Sequence, residues 1–143
     1  MATNVLTTRD FSRSPVESPL RVLVVDDEPL IRWSVAETLG ERGFEVVETG
    51  DALATRVAVR ADPSFDVVLL DYRLPDSDDL SLLASIRHAL PSAQVIVMTA
   101  FGRPEVVQAA LDLGAFQVIS KPFAMETIAA LVIEAARSRR RVH

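Results

Sequence analysis

Cysteine is absent from this chain, which excludes disulfides and thiolate metal sites and fits a reducing compartment such as the cytoplasm. No apolar run approaches the ~18 residues that a membrane-spanning helix needs. The five glycines form neither a dinucleotide-binding nor a Walker-type phosphate loop. Positive charge is in deficit: the formal net charge is −5, so the chain as a whole is not built to bind nucleic acid. Histidine is scarce. His88 falls late in an expected helix, where a surface position is favoured over a phosphocarrier role, and His143 is terminal. The single tryptophan, Trp33, falls one turn into another helix, where it would serve as a fluorescence reporter.

What the chain does have is a 49% hydrophobic composition over 143 residues, enough for one domain with a real core. Residues 1–19 carry Thr, Ser, Arg and Pro without an apolar signal core and read as a flexible leader. Residues 20–138 read as the folded domain, and residues 139–143 as a basic tail or the start of a linker. Continuous apolar runs at Leu20–Val25, Phe65–Leu70, Gln94–Met98 and Phe116–Ser120 read as strands buried on both faces, with Phe44–Glu48 as a further strand.

Helical periods separate these strands. Pro29 opens one in which Ile31, Val35 and Leu39 recur, with Gly43 at its end. Asp51–Arg60 is the second. In the third, Asp78 or Asp79 serves as cap and Leu80, Leu83, Ile86, Arg87 and Leu90 follow. Arg103–Leu113 is the fourth, stopped by Gly114, and the fifth follows Lys121-Pro122. Five βα repeats imply an α/β doubly wound parallel sheet with helices on both faces.

Asp26, Asp27, Asp71, Thr99 and Lys121 each follow an apolar run. In an open parallel sheet the carboxyl ends of the strands share one edge, and ligands bind there. Three carboxylates at one edge repel: a pair ~4 Å apart costs roughly 4 kcal/mol at an effective dielectric near 20. Raised pKa values, a cation, or both must offset this, and a hard divalent cation such as Mg2+ would do so with few protein ligands. A carboxylate is also a nucleophile toward phosphorus, and the phosphoryl oxygens then need a metal, an amine and a hydroxyl. Asp71, a bound Mg2+, Lys121 and Thr99 would supply those parts.

The motifs Val24-Val25-Asp26-Asp27-Glu28, Leu69-Leu70-Asp71-Tyr72-Arg73-Leu74-Pro75, Met98-Thr99-Ala100 and Lys121-Pro122-Phe123 resemble those of the CheY-like receiver domains of two-component response regulators. Met98-Thr99-Ala100-Phe101-Gly102 and Gly114-Ala115-Phe116 narrow the resemblance to receivers of the sigma-54 activator (nitrogen-regulator) type. The resemblance implies a flavodoxin-like sheet of strand order 2-1-3-4-5 and a cis Lys121-Pro122 bond. It makes Asp71 the phosphoacceptor, Thr99 the switch hydroxyl and Lys121 the site cation. Asp26 and Asp27 become Mg2+-site acids, with the backbone carbonyl of Arg73 as a further ligand. It also implies a sensor histidine kinase as phosphodonor, docking beside the first helix. The face of helix four, strand five and helix five would receive a second copy or an output partner.

Two positions depart from that family. Asp79 stands where a glycine is usual, and Val118 stands where the family carries Tyr or Phe. Strand alternation puts Phe116 on the face of Val118, where it is ordinary core unless its ring, or backbone movement of the Thr99 loop, takes over reporting phosphorylation. Apolar residues to the side of the core stripes, Val107 and Leu111 on helix four and Ala129, Ile133 and Ala136 on helix five, widen the expected contact face. Helix four is expected to bury Val106, Ala109, Ala110 and Leu113, and helix five Ile128, Leu131, Val132 and Ala135.

Val118 and Asp79 favour one alternative, a phosphorylation-independent interaction module. Another is a hydrolase working through an aspartyl phosphate. Such enzymes typically carry an acid two residues beyond the nucleophile, and Arg73 there argues against it.

Overall fold

The computed structural model describes residues 19–140, so the leader expected over residues 1–18 and the tail end at 141–143 lie outside the described residues. Strands and helices alternate: β1 Arg21–Val25, α1 Pro29–Glu41, β2 Glu45–Thr49, α2 Ala52–Ala61, β3 Val67–Asp71, α3 Ser81–Ala89, β4 Gln94–Thr99, α4 Pro104–Asp112, β5 Gln117–Ser120 and α5 Met125–Arg140. All pairings are parallel and the sheet order is β2-β1-β3-β4-β5, as expected.

Alternation along the strands sorts the core into two layers. Leu23, Val25, Val68, Leu70, Val95 and Val97 face α2, α3 and α4, where Val59, Leu83 and Ala110 meet them. Val22, Val24, Val67, Leu69, Ile96 and Met98 face α1 and α5, where Val35, Leu39, Ile128 and Val132 meet them. The central strands are therefore apolar at nearly every position, because neither face reaches water. β2 lies at one edge of the sheet, and Glu45 and Glu48 expose charge there, which discourages further strand pairing.

Glycine ends two helices. Gly43 follows the Arg42 cap of α1 with φ +92, and Gly114 follows the Leu113 cap of α4 with φ +102; both conformations strain any residue with a Cβ. At Gly114 a Cβ would also lie 2.9 Å from Arg87 Nε. Arg87, which the helical spacing had grouped with apolar neighbours, is half-buried and donates to the Ala93 and Pro91 carbonyls.

Four expectations change. Leu80, not Asp78 or Asp79, occupies the cap position of α3, because its side chain packs against the core; Asp79 instead accepts the Ser81 N–H at 2.9 Å. Phe116 packs on the α1/α5 layer and Val118 on the opposite one. Phe116 precedes β5, so the two-residue alternation does not extend to it. Of the residues α4 was expected to bury, only Ala110 is buried: Val106 and Ala109 are half-buried, and Leu113 is 42% exposed because α4 ends at Asp112 and the cap residue turns outward. Ala129 and Ala136 are core residues, so the second stripe of α5 adds little free surface. Ile133, the third residue of that stripe, is half-buried.

Candidate functional site

The acid cleft is assembled at the carboxyl ends of β1, β3, β4 and β5. Asp26 follows β1, Asp71 ends β3, Thr99 ends β4 and Lys121 follows β5, so four separated stretches converge as expected. Register explains the convergence: Asp71 pairs with Met98, and Thr99 with Ser120, so the strands end nearly level.

Asp26 is fully buried, Asp71 is 6% exposed and Asp27 is exposed. Each places a carboxylate oxygen within 4.8 Å of the others. Lys121 Nζ lies 2.8 Å from Asp26 Oδ2, 3.1 Å from Asp71 Oδ2 and 3.2 Å from Glu28 Oε1. Burial and the neighbouring Asp26 charge push the Asp71 carboxyl up to about 6, against the pull of Lys121. Burial alone would lower the Lys121 ammonium pKa, but the Asp26 and Asp71 carboxylates outweigh it and hold the amine protonated.

The Lys121 ammonium contacts three carboxylates, Asp27 adds a fourth acid, Arg73 and Arg103 also line the cleft, and Asp26 Oδ2 has ion-pair contact but no aligned hydrogen-bond donor among the described residues. A buried carboxylate oxygen left this way, with two more acids in reach, fits a hard divalent cation. Asp26 Oδ1 is engaged elsewhere, accepting the Glu28 N–H at 2.9 Å. Arg73 N–H donates to Asp71 Oδ1 at 3.3 Å, so the backbone folds back over the carboxylate and Arg73 lines the cleft.

Thr99 is buried at the cleft wall. Its hydroxyl donates to the Phe101 carbonyl at 3.2 Å and accepts the Phe101 N–H at the same distance. The Phe101 ring is 75% exposed at the cleft mouth. Lys121 N–H donates to the Thr99 carbonyl at 2.8 Å, and the Lys121-Pro122 bond is cis.

Glu28 is a cleft residue that the sequence motif alone does not single out. It holds the cap position of α1 yet makes no capping bond, its side chain being turned to Lys121. The third acid in Asp26-Asp27-Glu28 was the available signal. His88 is exposed on α3, away from the cleft, and Trp33 is exposed on α1. No described helix is long and apolar enough to cross a membrane.

Residues 22–133 match the family model of the response regulator receiver domain. The transcriptional regulatory protein PdtaR of Mycobacterium tuberculosis is 38% identical over 124 residues, covering 85% of this chain and 59% of PdtaR. The DNA-binding transcriptional regulator NtrC of Salmonella typhimurium is 36% identical over 113 residues, covering 78% of this chain and 24% of NtrC. The chain thus spans less than two thirds of either regulator. A CheY-like response regulator receiver domain protein from Methanospirillum hungatei superposes with a TM-score of 0.84 at 25% identity, covering 88% of this chain and all of that one. With sheet order, family model and relatives in agreement, this chain belongs to the response regulator receiver domains of two-component signalling.

Proposed function

We propose that Asp71 accepts a phosphoryl group from the phosphohistidine of a sensor histidine kinase, and that the domain thereby changes its partner preference. An Asp71 carboxylate oxygen attacks phosphorus, the bond from phosphorus to the imidazole nitrogen breaks with its electron pair going to that nitrogen, and the ring, protonated on its other nitrogen, leaves as neutral imidazole. Asp26, Asp27, Asp71 and the Arg73 carbonyl would hold Mg2+, which when bound shields the phosphoryl oxygens from the carboxylates. Lys121 supplies a fixed positive charge beside the acceptor. Thr99 supplies a hydroxyl donor at the cleft wall once it leaves Phe101.

One observation carries this reading: a single ammonium bridges Asp26 and Asp71, which stand at the ends of different strands, with the Asp27 carboxylate within 4.8 Å of both. The acceptor is therefore buried, oriented and electrostatically prepared for a cation and a phosphoryl group. Turnover of outside phosphomonoesters lacks support, because Arg73 stands where a second acid would be needed. The output partner or a second copy would meet the α4–β5–α5 face; among the described residues Leu111 of α4 and its cap Leu113 are exposed large apolar side chains. A cytoplasmic location accords with the lack of cysteine.

The test is intact-mass analysis after incubation with a small phosphodonor and magnesium. One added phosphoryl group, lost in Asp71→Ala and in metal-free buffer, supports the switch. No addition despite bound magnesium, with cognate kinase present, would favour the phosphorylation-independent module, the reading that Val118 on the core side of β5 recommends.

A further inference from the structure

Asp76 lies at the tip of a tight turn between β3 and α3. Leu74 and Ser77 close that turn, with Leu74 N–H to Ser77 O at 2.8 Å and Ser77 N–H to Leu74 O at 3.2 Å. From there the Asp76 side chain reaches a different element. Its Oδ1 accepts the Ala52 N–H at 2.8 Å and its Oδ2 the Leu53 N–H at 3.1 Å, both in the first turn of α2. The helix's own cap, Asp51, takes the Ala54 N–H at 2.7 Å. Asp76 thus satisfies from outside the helix two donors that the local cap leaves open. The Ala52 N–H above all, with that of Leu53, holds the Asp76 carboxyl below its usual range.

The same turn of α2 is tied to the other half of the acid cleft. Asp26 N–H donates to the Thr49 carbonyl at 3.1 Å. The Thr49 and Thr55 hydroxyls are 2.8 Å apart, and Thr55 Oγ1 donates to the Asp51 carbonyl. Arg32 Nη1 donates to the Asp26 carbonyl at 2.7 Å and fills the space beside Gly50, where a Cβ would stand 2.9 Å away. The chain of contacts therefore runs from Asp26 through Thr49 and α2 to Asp76, and returns through the Leu74–Ser77 turn to Arg73 and Asp71.

We infer that Asp76 is a positioning residue for the divalent-cation site: it clamps the β3–α3 turn, and with it the Arg73 carbonyl, at a fixed separation from Asp26 and Asp27. The inference rests on the acid cleft being the magnesium-dependent phosphoacceptor site. Asp76 touches no reacting atom. Releasing it leaves every first ligand in place but lets the turn move, so that cation binding must also order the turn.

The experiment compares Asp76→Ala, Asp76→Asn and Asp78→Ala. Asn keeps one acceptor, and Asp78→Ala removes a charge from the same loop without removing the clamp. Amide exchange at Ala52 and Leu53 in metal-free protein reads the clamp directly. Calorimetry reads magnesium affinity, and intact mass reads phosphoryl uptake at saturating magnesium.

The expected result is faster exchange at both amides and roughly tenfold weaker magnesium binding in Asp76→Ala. Asp76→Asn should fall between it and the parent, Asp78→Ala should stay near the parent, and all should take up phosphoryl at similar rates once loaded. Equal loss of affinity in Asp76→Ala and Asp78→Ala would overturn the inference in favour of simple charge. So would faster exchange with unchanged affinity. A parent protein that binds magnesium but takes up no phosphoryl group counts against the functional reading alone, and the exchange and affinity data still decide the clamp.

Discussion

Replacing Asp71 by Asn should make the metal-free domain more stable, although it removes the proposed acceptor. The buried carboxyl titrates at about 6 rather than 3.8, so the folded protein holds its proton more tightly than the unfolded chain does. Ionisation of Asp71 therefore opposes folding. The opposition is absent below pH 3.8, grows as pH rises toward 6, and is complete above it. The gap from 3.8 to about 6, at about 1.4 kcal/mol per pH unit, amounts to on the order of 3 kcal/mol at neutral pH. At pH 5 the same relation leaves about 1.6 kcal/mol. Asn copies the protonated carboxyl in shape and keeps an acceptor for Lys121, so Asp71→Asn should recover these amounts. Urea unfolding without magnesium is the assay. With an m-value of about 2 kcal/mol/M, the midpoint should rise by about 1.5 M at pH 7.5 and by about half that at pH 5. Added magnesium should close much of the gap by stabilising the parent alone. Equal midpoints at pH 7.5, or a gain that ignores pH, would refute the argument that Asp71 is a strained charge.

Lys121→Met strands Asp26 and Asp71 without their ammonium and should cost on the order of 3 kcal/mol in metal-free buffer, with partial recovery in magnesium; thermal melts with and without the ion check both. Leu83→Ala opens a cavity in the layer beneath α3 and should cost about 2–5 kcal/mol, leaving the magnesium-induced shift in melting temperature intact. Phe116→Ala should lower stability by no more than about 3 kcal/mol, because the ring is only half-buried. Phosphoryl uptake by intact mass should be unaffected in that variant, its ring lying across the sheet from Val118.

The central strands were legible because burial on both faces leaves an uninterrupted apolar run, as in Val67–Leu70. The site was legible for a related reason: a parallel sheet forces Asp26, Asp71, Thr99 and Lys121 to one edge wherever their strands stop. Phe116 was misplaced because alternation holds only while the backbone is extended and paired, and it lies just before that stretch. Ala129 and Ala136 looked like spare surface because alanine has no strong preference for inside or outside; only the packing distance of α5 decides. Glu28 and Asp76 escaped notice because each acts on a partner remote in sequence, Lys121 in one case and α2 in the other. Asp27, exposed as it is, stands out in the sequence for the same reason as Asp26: it follows the apolar run that ends at Val25.

A hydroxyl carries a single proton. In Thr99 that proton is committed to the Phe101 carbonyl, while the oxygen receives the Phe101 N–H. Offering it to an anion on Asp71 and keeping it on the loop are mutually exclusive states. The choice is binary at the level of one atom, and on the proposed reading it would decide whether the Thr99 hydroxyl holds the loop that carries Phe101, the most exposed aromatic side chain among the described residues.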